Sequence, residues 1–583
     1  MPSKASSSSS SRRALLSAPS DLNEPLTVPL STRSFAPQFA SLYHFRLRKL
    51  KGVKRDGGGL LKKAKERWGD GSAAASALER GSHTRTRVQN GKRKNSAHDE
   101  EMMEDEAEEE EEDEDEEEEE EKKKKKKEKK RSSRDRVQYV ERILDIDQGK
   151  MMVVCGIIYC SMRLKPDVLE DLTREQYLPP VPARTTYADN ATDEIFLEDE
   201  SGRIRLVGGT AMDASADSQG STSAHNSRSW RDSLVTGVVC AVLGTETRAG
   251  DFDVVDVILP GIPRSLAKSD AKSRDEAMDV DGEKGDWVAL VSGIEVGDEK
   301  AFETKEEEGT SASASAGQED DGLGMLRNEL LAEWLRGETL SEIDAGVSVR
   351  DVSALILAGN SCAVPSALRT VENKAGRPRA FNTNPLDHYL AALTQSIQVQ
   401  ILPGARDPAG LAMPQQPLHK ALFPRSAGAA EGSNALIRST NPAWSAFGNA
   451  LILGTSGQNI DDLFKYVEGG TDEDRLRMAC NTLRWGHLAP TAPDTLCCYP
   501  FTDRDPFLIT RSPRIYFVGN QPRFATTLYE PEPESESEQG DEGVEGSATR
   551  VVLLPSFNKT GTVVLVHRST LQVQKVQILP PPL

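Results

Sequence analysis

The stretch Leu355-Ile356-Leu357-Ala358-Gly359-Asn360 is a short apolar run that ends in a glycine turn, as a buried strand does when it delivers a loop to the end of a sheet. The pattern recurs on both sides of it. Trp287 to Ile294 runs into Ser292-Gly293-Ile294-Glu295, Val399-Gln400-Ile401-Leu402 runs into Pro403-Gly404-Ala405-Arg406-Asp407, and a later strand ends at Phe517-Val518-Gly519-Asn520. Helical spacing lies between them, at Leu323 to Arg336 and Leu386 to Ser396. Strands alternating with helices predict an α/β layer. Arg514 to Val518, Val551 to Leu554, Thr562 to His567 and Leu571 to Ile578 read as further strands, broken by an acidic loop at Glu530 to Glu545. Residues 286–583 are therefore expected to form two sheets covered by helices.

Upstream the pattern changes. Met151 to Cys160 is a continuous apolar strand, Ile195-Phe196-Leu197 pairs with Ile204-Arg205-Leu206 across Glu200-Ser201-Gly202, and Leu234 to Leu243 pairs with Asp251 to Leu259 across Gly250. Five short strands with one helical stretch, Leu164 to Tyr177, predict a Greek-key barrel of the OB type over residues 137–265. A Ser-rich insert near Met212 to Arg231 falls in one of its loops, and a polar linker at 266–285 separates the barrel from the second domain. Phe35, Phe39, Leu42, Tyr43, Leu47 and Leu50 recur at helical spacing, with Arg46, Arg48 and Lys49 assigned to other faces, so 35–68 is expected to be a helical segment. The Ser-rich N-terminus, 1–34, is expected to be disordered.

Charge is unevenly spread. The chain has 583 residues, 72 Lys and Arg against 92 Asp and Glu, and 20 of the acidic residues lie between Asp99 and Glu121. Outside that run the chain is near neutral, which excludes both a globally acidic and a strongly basic, DNA-wrapping protein. Lys122 to Lys127, Lys129, Lys130 and Arg131 follow at once. Like-charge blocks bury too little apolar surface to offset chain entropy, so 70–135 is expected to be a disordered acidic/basic insert. With Lys92-Arg93-Lys94, the basic run reads either as a nuclear import signal or as a solvated linker. No stretch approaches the roughly 20 apolar residues that span a bilayer, and Ala14-Leu15-Leu16 is too brief for a signal-peptide core. The seven cysteines form neither a CxxC pair nor a disulfide framework.

The glycine turns carry the chemical question. Their order resembles the calcineurin-like metallophosphoesterases, in which D-x-H, G-D, G-N-H-(D/E), a lone His and G-H-x-H stand on successive strand ends and hold two divalent cations. Position by position, the resemblance places Gly293 and Glu295 at D-x-H, Asn360 at the G-D aspartate, Ala405 and Arg406 at the G-N-H asparagine and histidine, and Asn520 and Pro522 at the G-H-x-H histidines. Only His487, with Asp407 after the G-N-H, matches the pattern. Gly, Ala and Pro have no ligating side chain and Arg406 brings a cation to a cation site, so the resemblance implies a lost metal site and no cofactor.

Longer strings narrow the resemblance further. Met413-Pro414-Gln415-Gln416-Pro417-Leu418-His419, Leu453-Gly454-Thr455-Ser456-Gly457-Gln458-Asn459 and His487-Leu488-Ala489-Pro490-Thr491-Ala492-Pro493-Asp494-Thr495-Leu496, with Tyr499-Pro500-Phe501 and Asp505-Pro506-Phe507, resemble the small (B) subunits of eukaryotic DNA polymerase delta. This resemblance, over Phe35 to Trp68 and Val137 to Ile578, implies an OB-fold fused to an inactivated phosphoesterase domain. It also implies a nuclear, non-catalytic subunit that bridges the cysteine-rich C-terminal module of the catalytic subunit and a third subunit. DNA would be reached only through the holoenzyme, and no membrane is involved.

Several readings stay open at this stage. Pro414, Gln415, Gln416 and Pro417, Gly457, Gln458 and Asn459, and Thr491, Ala492, Pro493 and Asp494 lie in loops that either present groups to a partner or brace the sheet ends. His487 and His419 read as loop-bonded histidines or as vestigial ligands. Glu295, Asn360, Asp407 and His487 could in principle still hold one cation, which keeps a metal-dependent phosphodiesterase or exonuclease as the alternative. Direct single-strand binding by the barrel would need aromatics interleaved with Lys or Arg, and protein docking suits its few aromatics and the acidic strand Asp251 to Val257 better.

Overall fold

The computed structural model describes residues 15–52, 59–69, 137–166, 186–208, 230–263, 286–297, 323–338, 347–363, 382–429, 435–531 and 548–579. After a short first strand, β1 (Leu16–Ser17), come the barrel strands β2 (Gln138–Val140), β3 (Met151–Ser161), β4 (Glu194–Glu198), β5 (Arg203–Val207), β6 (Val239–Glu246) and β7 (Phe252–Ile258). Their order, β2-β3-β4-β5-β7-β6, closes on itself because β3 pairs antiparallel with both β4 and β6. Met152, Val154 and Ile158 of β3 share a core with Leu197, Leu206, Val242 and Phe252. The alternate residues Val153, Cys155 and Ile157 face outward and are covered by helices Ala40–Lys51 and Leu60–Trp68, through Leu47, Leu50, Leu60, Ala64 and Trp68. Burial on both faces explains why β3 reads as an unbroken apolar run. The five expected strands form, and β2 adds a sixth, parallel to β3. Residues 167–177 of the expected helix, and most of the Ser-rich insert and the polar linker, lie outside the described residues.

The second domain stacks two six-stranded sheets. Its strands are β8 (Trp287–Val291), β9 (Val352–Ala358), β10 (Gln398–Leu402), β11 (Leu436–Arg438), β12 (Ala443–Phe447), β13 (Ala450–Thr455), β14 (Ile515–Gln521), β15 (Ala525–Tyr529), β16 (Thr549–Pro555), β17 (Thr562–His567) and β18 (Val573–Gln577). One sheet runs β11-β10-β9-β8-β17-β18 and the other β1-β12-β13-β14-β16-β15. Leu290, Ile356 and Val564 of the first pack against Ile452, Phe517 and Val552 of the second. Helices Leu323–Arg336 and Asn384–Leu393 cover the outer face of the first sheet through Leu331, Leu335, Leu386 and Leu390. The second sheet's outer residues Leu453, Tyr516, Val518 and Leu553 join helix Asp472–Trp485 and the barrel interior in one continuous core.

Two expectations are corrected. Residues 1–34, expected to be disordered, are ordered from Leu15 onward. β1 extends the sheet edge at β12, Leu16 N–H donates to Gln398 Oε1 at 2.6 Å, and Gln398 Nε2 donates back to Leu16 O at 3.0 Å. Asn23 makes the same kind of reciprocal pair with the Trp444 backbone, at 2.8 and 3.0 Å, and Leu22, Leu26 and Val28 are buried. The helix expected from Phe35 starts at Ala40. Phe35 is instead 61 % exposed, edge-on to Tyr499.

Each of the buried side chains Leu16, Leu22, Leu26 and Val28 contributes about 1.5–3 kcal/mol when withdrawn from water. A chain beginning at residue 35 is therefore expected to melt several degrees below the full chain in a calorimetric scan. Equal melting points would show that this segment adds no stability.

Candidate functional site

The strand-end turns meet where the sequence pattern puts them. Gly293 N–H donates to Gly359 O at 3.0 Å and Glu295 N–H to Asn360 O at 3.2 Å, joining the ends of β8 and β9. Arg406 N–H, past the end of β10, donates to Asn360 Oδ1 at 2.9 Å. Asn520, in β14, donates through Nδ2 to Ala358 O at 3.1 Å and to Ser456 O at 2.9 Å. Glu295, Asn360 and Asn520 all have left-handed backbones, with φ of 46°, 54° and 54°, a geometry that asparagine tolerates well and glutamate poorly. Gly359 has no room for a side chain, since a Cβ there would lie 2.5 Å from that of Ser456 and 2.8 Å from Gly404 Cα.

The ionisable side chains at this junction already have partners within it. Arg406 forms an ion pair with Glu295 at 2.6 Å, and the Glu295 carboxylate is largely buried. Asp407 accepts from Cys362 N–H and Gly404 N–H, both at 2.8 Å. Burial pushes its carboxyl up to about 6 even though these backbone donors favour the anion. Gly293, Ala405 and Pro522 supply no ligating side chain. These residues do not fit a pair of divalent cations, which need several converging carboxylates and imidazoles. Among the described residues there is no group of three or more His, Cys, Asp or Glu that could hold a metal ion.

His487 stands in a different constellation. It is buried, its Nε2 lies 2.8 Å from Asp505 Oδ2, and its Nδ1 accepts from Ala489 N–H at 3.2 Å. With both ring nitrogens engaged, and the proton on Nε2, it has no lone pair left for a cation. The single-cation set Glu295, Asn360, Asp407 and His487 therefore does not assemble.

The same Asp505 oxygen accepts from Arg46 Nε at 2.8 Å, and both side chains are fully buried. The remaining guanidinium nitrogens donate to Gly237 O at 3.1 Å, Pro490 O at 2.8 Å and Ala492 O at 2.9 Å. Arg46, assigned to an outer face by sequence, lies on the buried one. The signal was its spacing, four residues from both Leu42 and Leu50. Burial would raise the Asp505 carboxyl, but His487 and Arg46 outweigh it and hold the group well below the usual carboxylate range.

The loops named as partner contacts divide by burial. Pro414, Gln415, Gly457, Asn459, Thr491 and Ala492 are buried. Gln415 Nε2 donates to Gly404 O and Gly410 O, and its Oε1 accepts from Asn441 and Gln458. Thr491 donates to Asp462 at 2.6 Å, and Asn459 Nδ2 donates to Leu488 O at 2.9 Å. Gln416, Pro417, Gln458, Pro493 and Asp494 stay half-exposed, although Gln416 already binds Leu26 O and Val28 N–H, and Asp494 binds Lys165. His419 caps its own turn by accepting from Ala421 N–H at 3.2 Å.

The chain thus joins a closed barrel to a two-sheet domain whose strand ends are bridged by asparagine amides. Residues 38–257 match the family model for the DNA polymerase delta subunit OB-fold domain, and residues 318–526 match that for the B subunit of DNA polymerases alpha and epsilon. The chain is 34% identical over 436 residues to the DNA polymerase delta small subunit of Arabidopsis thaliana, covering 74% of this chain and 82% of the relative. It is 31% identical over 468 residues to the DNA polymerase delta small subunit of Saccharomyces cerevisiae, covering 75% and 81%. To DNA polymerase delta subunit 2 of Drosophila melanogaster it is 33% identical over 439 residues, covering 74% and 84%. The chain belongs to the DNA polymerase delta small-subunit family.

Removing one partner of a buried ion pair strands the other, at a cost of about 3–5 kcal/mol. Arg46→Met is expected to lower stability by that order in a denaturant titration. Because the folded Asp505 carboxyl is held low, its contribution is fully present above the ordinary carboxylate range and is lost progressively as pH falls from that range through the depressed folded value. Arg46→Met is thus also expected to move acid unfolding to higher pH. An unchanged acid midpoint would mean that Arg46 does not hold Asp505 ionised.

Proposed function

We propose that this chain is a non-catalytic scaffold subunit of a nuclear DNA polymerase delta holoenzyme. In this reading it bridges the cysteine-rich C-terminal module of the catalytic subunit and a third subunit, with its OB barrel near 137–265 and an inactivated phosphoesterase-like domain over 286–583. The observation that carries the reading is the Arg406–Glu295 ion pair at the strand-end junction. A guanidinium and two backbone-bound asparagine amides, Asn360 and Asn520, stand where two-metal hydrolysis would need anionic and imidazole ligands. Among the described residues no helix is long and apolar enough to cross a membrane.

The outer face of the barrel suits a protein partner. Arg203 stacks over Tyr159 at 4.5 Å and Phe196 at 5.4 Å, and residues of this kind dominate binding energy at protein interfaces. Its arginines are matched by carboxylates, Arg203 by Glu198 and Arg205 by Glu194 and Asp251, so the face has little spare charge for phosphate.

The test combines two assays on one purified sample. Stable co-elution with the cysteine-rich C-terminal segment of a polymerase delta catalytic subunit is expected, together with no Mn²⁺-dependent phosphodiesterase activity. Hydrolysis that disappears with Asp407→Ala and His487→Ala, without co-elution, would overturn the scaffold reading in favour of a metal-dependent phosphodiesterase.

A further inference from the structure

Phe35 is an apolar ring held out in water. It is 61 % exposed, and Leu30 and Phe39, near it in the chain, are 76 % and 38 % exposed. Apolar side chains scattered singly over a surface are ordinary, but Phe35 is fixed where it stands. Ser34 N–H donates to the Tyr499 hydroxyl at 3.1 Å, and the Phe35 ring meets that of Tyr499 edge-on at 5.4 Å. Tyr499 meets Phe501 in the same way at 4.9 Å, and Phe501 is buried in the core shared by the barrel and the second domain. Arg504 lies over the Phe501 ring at 5.1 Å and holds the N-terminal segment by donating to Pro25 O at 3.1 Å. Three rings thus run from the core to the surface, and the outermost is Phe35.

A ring anchored this way has given up much of its freedom before any partner arrives, so burying it costs little further conformational entropy. Aromatic anchors dominate the binding energy of protein interfaces, where each fills a pocket on the opposite side. Charge states the rest of what a partner needs. Arg33, two residues before Phe35, is exposed. It donates to Val28 O at 3.3 Å, a neutral acceptor that leaves its charge in place, and among the described residues it forms no ion pair. The exposed Asp503 is taken by Arg504 at 3.2 Å. The complement of this surface is therefore an apolar pocket with negative charge at its rim.

We infer that Phe35, held on Tyr499 with Arg33 beside it, is the anchor by which this chain docks the cysteine-rich C-terminal module of the catalytic subunit. The inference rests on the scaffold reading and adds to it the surface at which that partner sits. A cysteine-rich module suits both features of the surface. Thiolates gathered on a metal ion outweigh its positive charge and leave a net negative centre, which attracts Arg33. A small metal-stapled fold also has too little core to hide all of its apolar residues, and a neighbour's aromatic ring covers what is left.

Biolayer interferometry with the full chain immobilised and the catalytic-subunit segment in solution tests the inference. Phe35→Ser is expected to weaken binding about thirtyfold, the size of a hot-spot truncation, mostly through faster dissociation. Phe35→Tyr keeps the ring and is expected to bind as the unsubstituted chain does. Arg33→Glu is expected to slow association at low salt, and that difference should vanish at about 1 M salt. Because Phe35 and Arg33 are exposed, each variant should melt with the unsubstituted chain. If Phe35→Ser melts lower, the association rate of Arg33→Glu decides. Binding unmoved by both substitutions overturns the docking surface and leaves the scaffold reading standing. Lost binding of the third subunit, with the catalytic-subunit segment bound normally, overturns it as well. No binding of the segment by the unsubstituted chain overturns the scaffold reading and this inference together.

Discussion

The buried guanidinium of Arg46 ties together parts of the chain hundreds of residues apart. It reaches the barrel at Gly237 O, the loop after helix Asp472–Trp485 at Pro490 O and Ala492 O, and the carboxylate of Asp505, which in turn fixes His487. A charge taken fully out of water is tolerated only when its donors are met and a counter-ion is in place. Because its acceptors come from three segments, the barrel at Gly237, the loop at Pro490 and Ala492, and Asp505, the guanidinium is satisfied only when barrel, N-terminal helix and second domain are correctly seated. The apolar core shared by Val154, Leu453, Tyr516 and Trp485 supplies the bulk of the adhesion. Apolar contact is weakly directional, and the fork of Arg46 sets the orientation.

The strand-end junction gathers several loops at one point and fills it with their own polar groups. Its left-handed residues Glu295, Asn360 and Asn520, and the tight passage at Gly359, belong to a geometry that brings several loops to one point. A catalytic site would use that convergence to gather ligands. Here the loops bind each other: the Asn360 side-chain oxygen holds Arg406 N–H, the Asn520 amide spans two strand ends, and Arg406 neutralises Glu295.

One exposed face of the barrel has its arginines matched by carboxylates. On β4 and β5 each arginine has its carboxylate, and the aromatic rings of Tyr159 and Phe196 lie beneath Arg203. Such a face is suited to a complementary protein surface, where desolvated aromatics and arginines dominate.

Much of the fold was legible in the sequence because strand and helix periods leave a local trace. The apolar runs at Met151 to Cys160 and Leu355 to Leu357, the helix at Leu323 to Arg336, and the glycine turns after β8, β9 and β10 all stand where their patterns put them. That Gly293, Ala405 and Pro522 offer no ligating side chain was equally legible, since a residue type without a donor atom is so in any fold. What only the tertiary structure decided are the contacts between distant segments. The N-terminal segment has no period to read, and it is ordered because Gln398 and Trp444 meet Leu16 and Asn23 at a sheet edge. Arg46 read singly as a surface cation and His487 as a loop-bonded histidine or a vestigial ligand, and they became partners through Asp505 because folding brings residues 46, 487 and 505 into one buried site. Periodicity records what each residue does within its own element, and it carries no information about which distant group will share its burial.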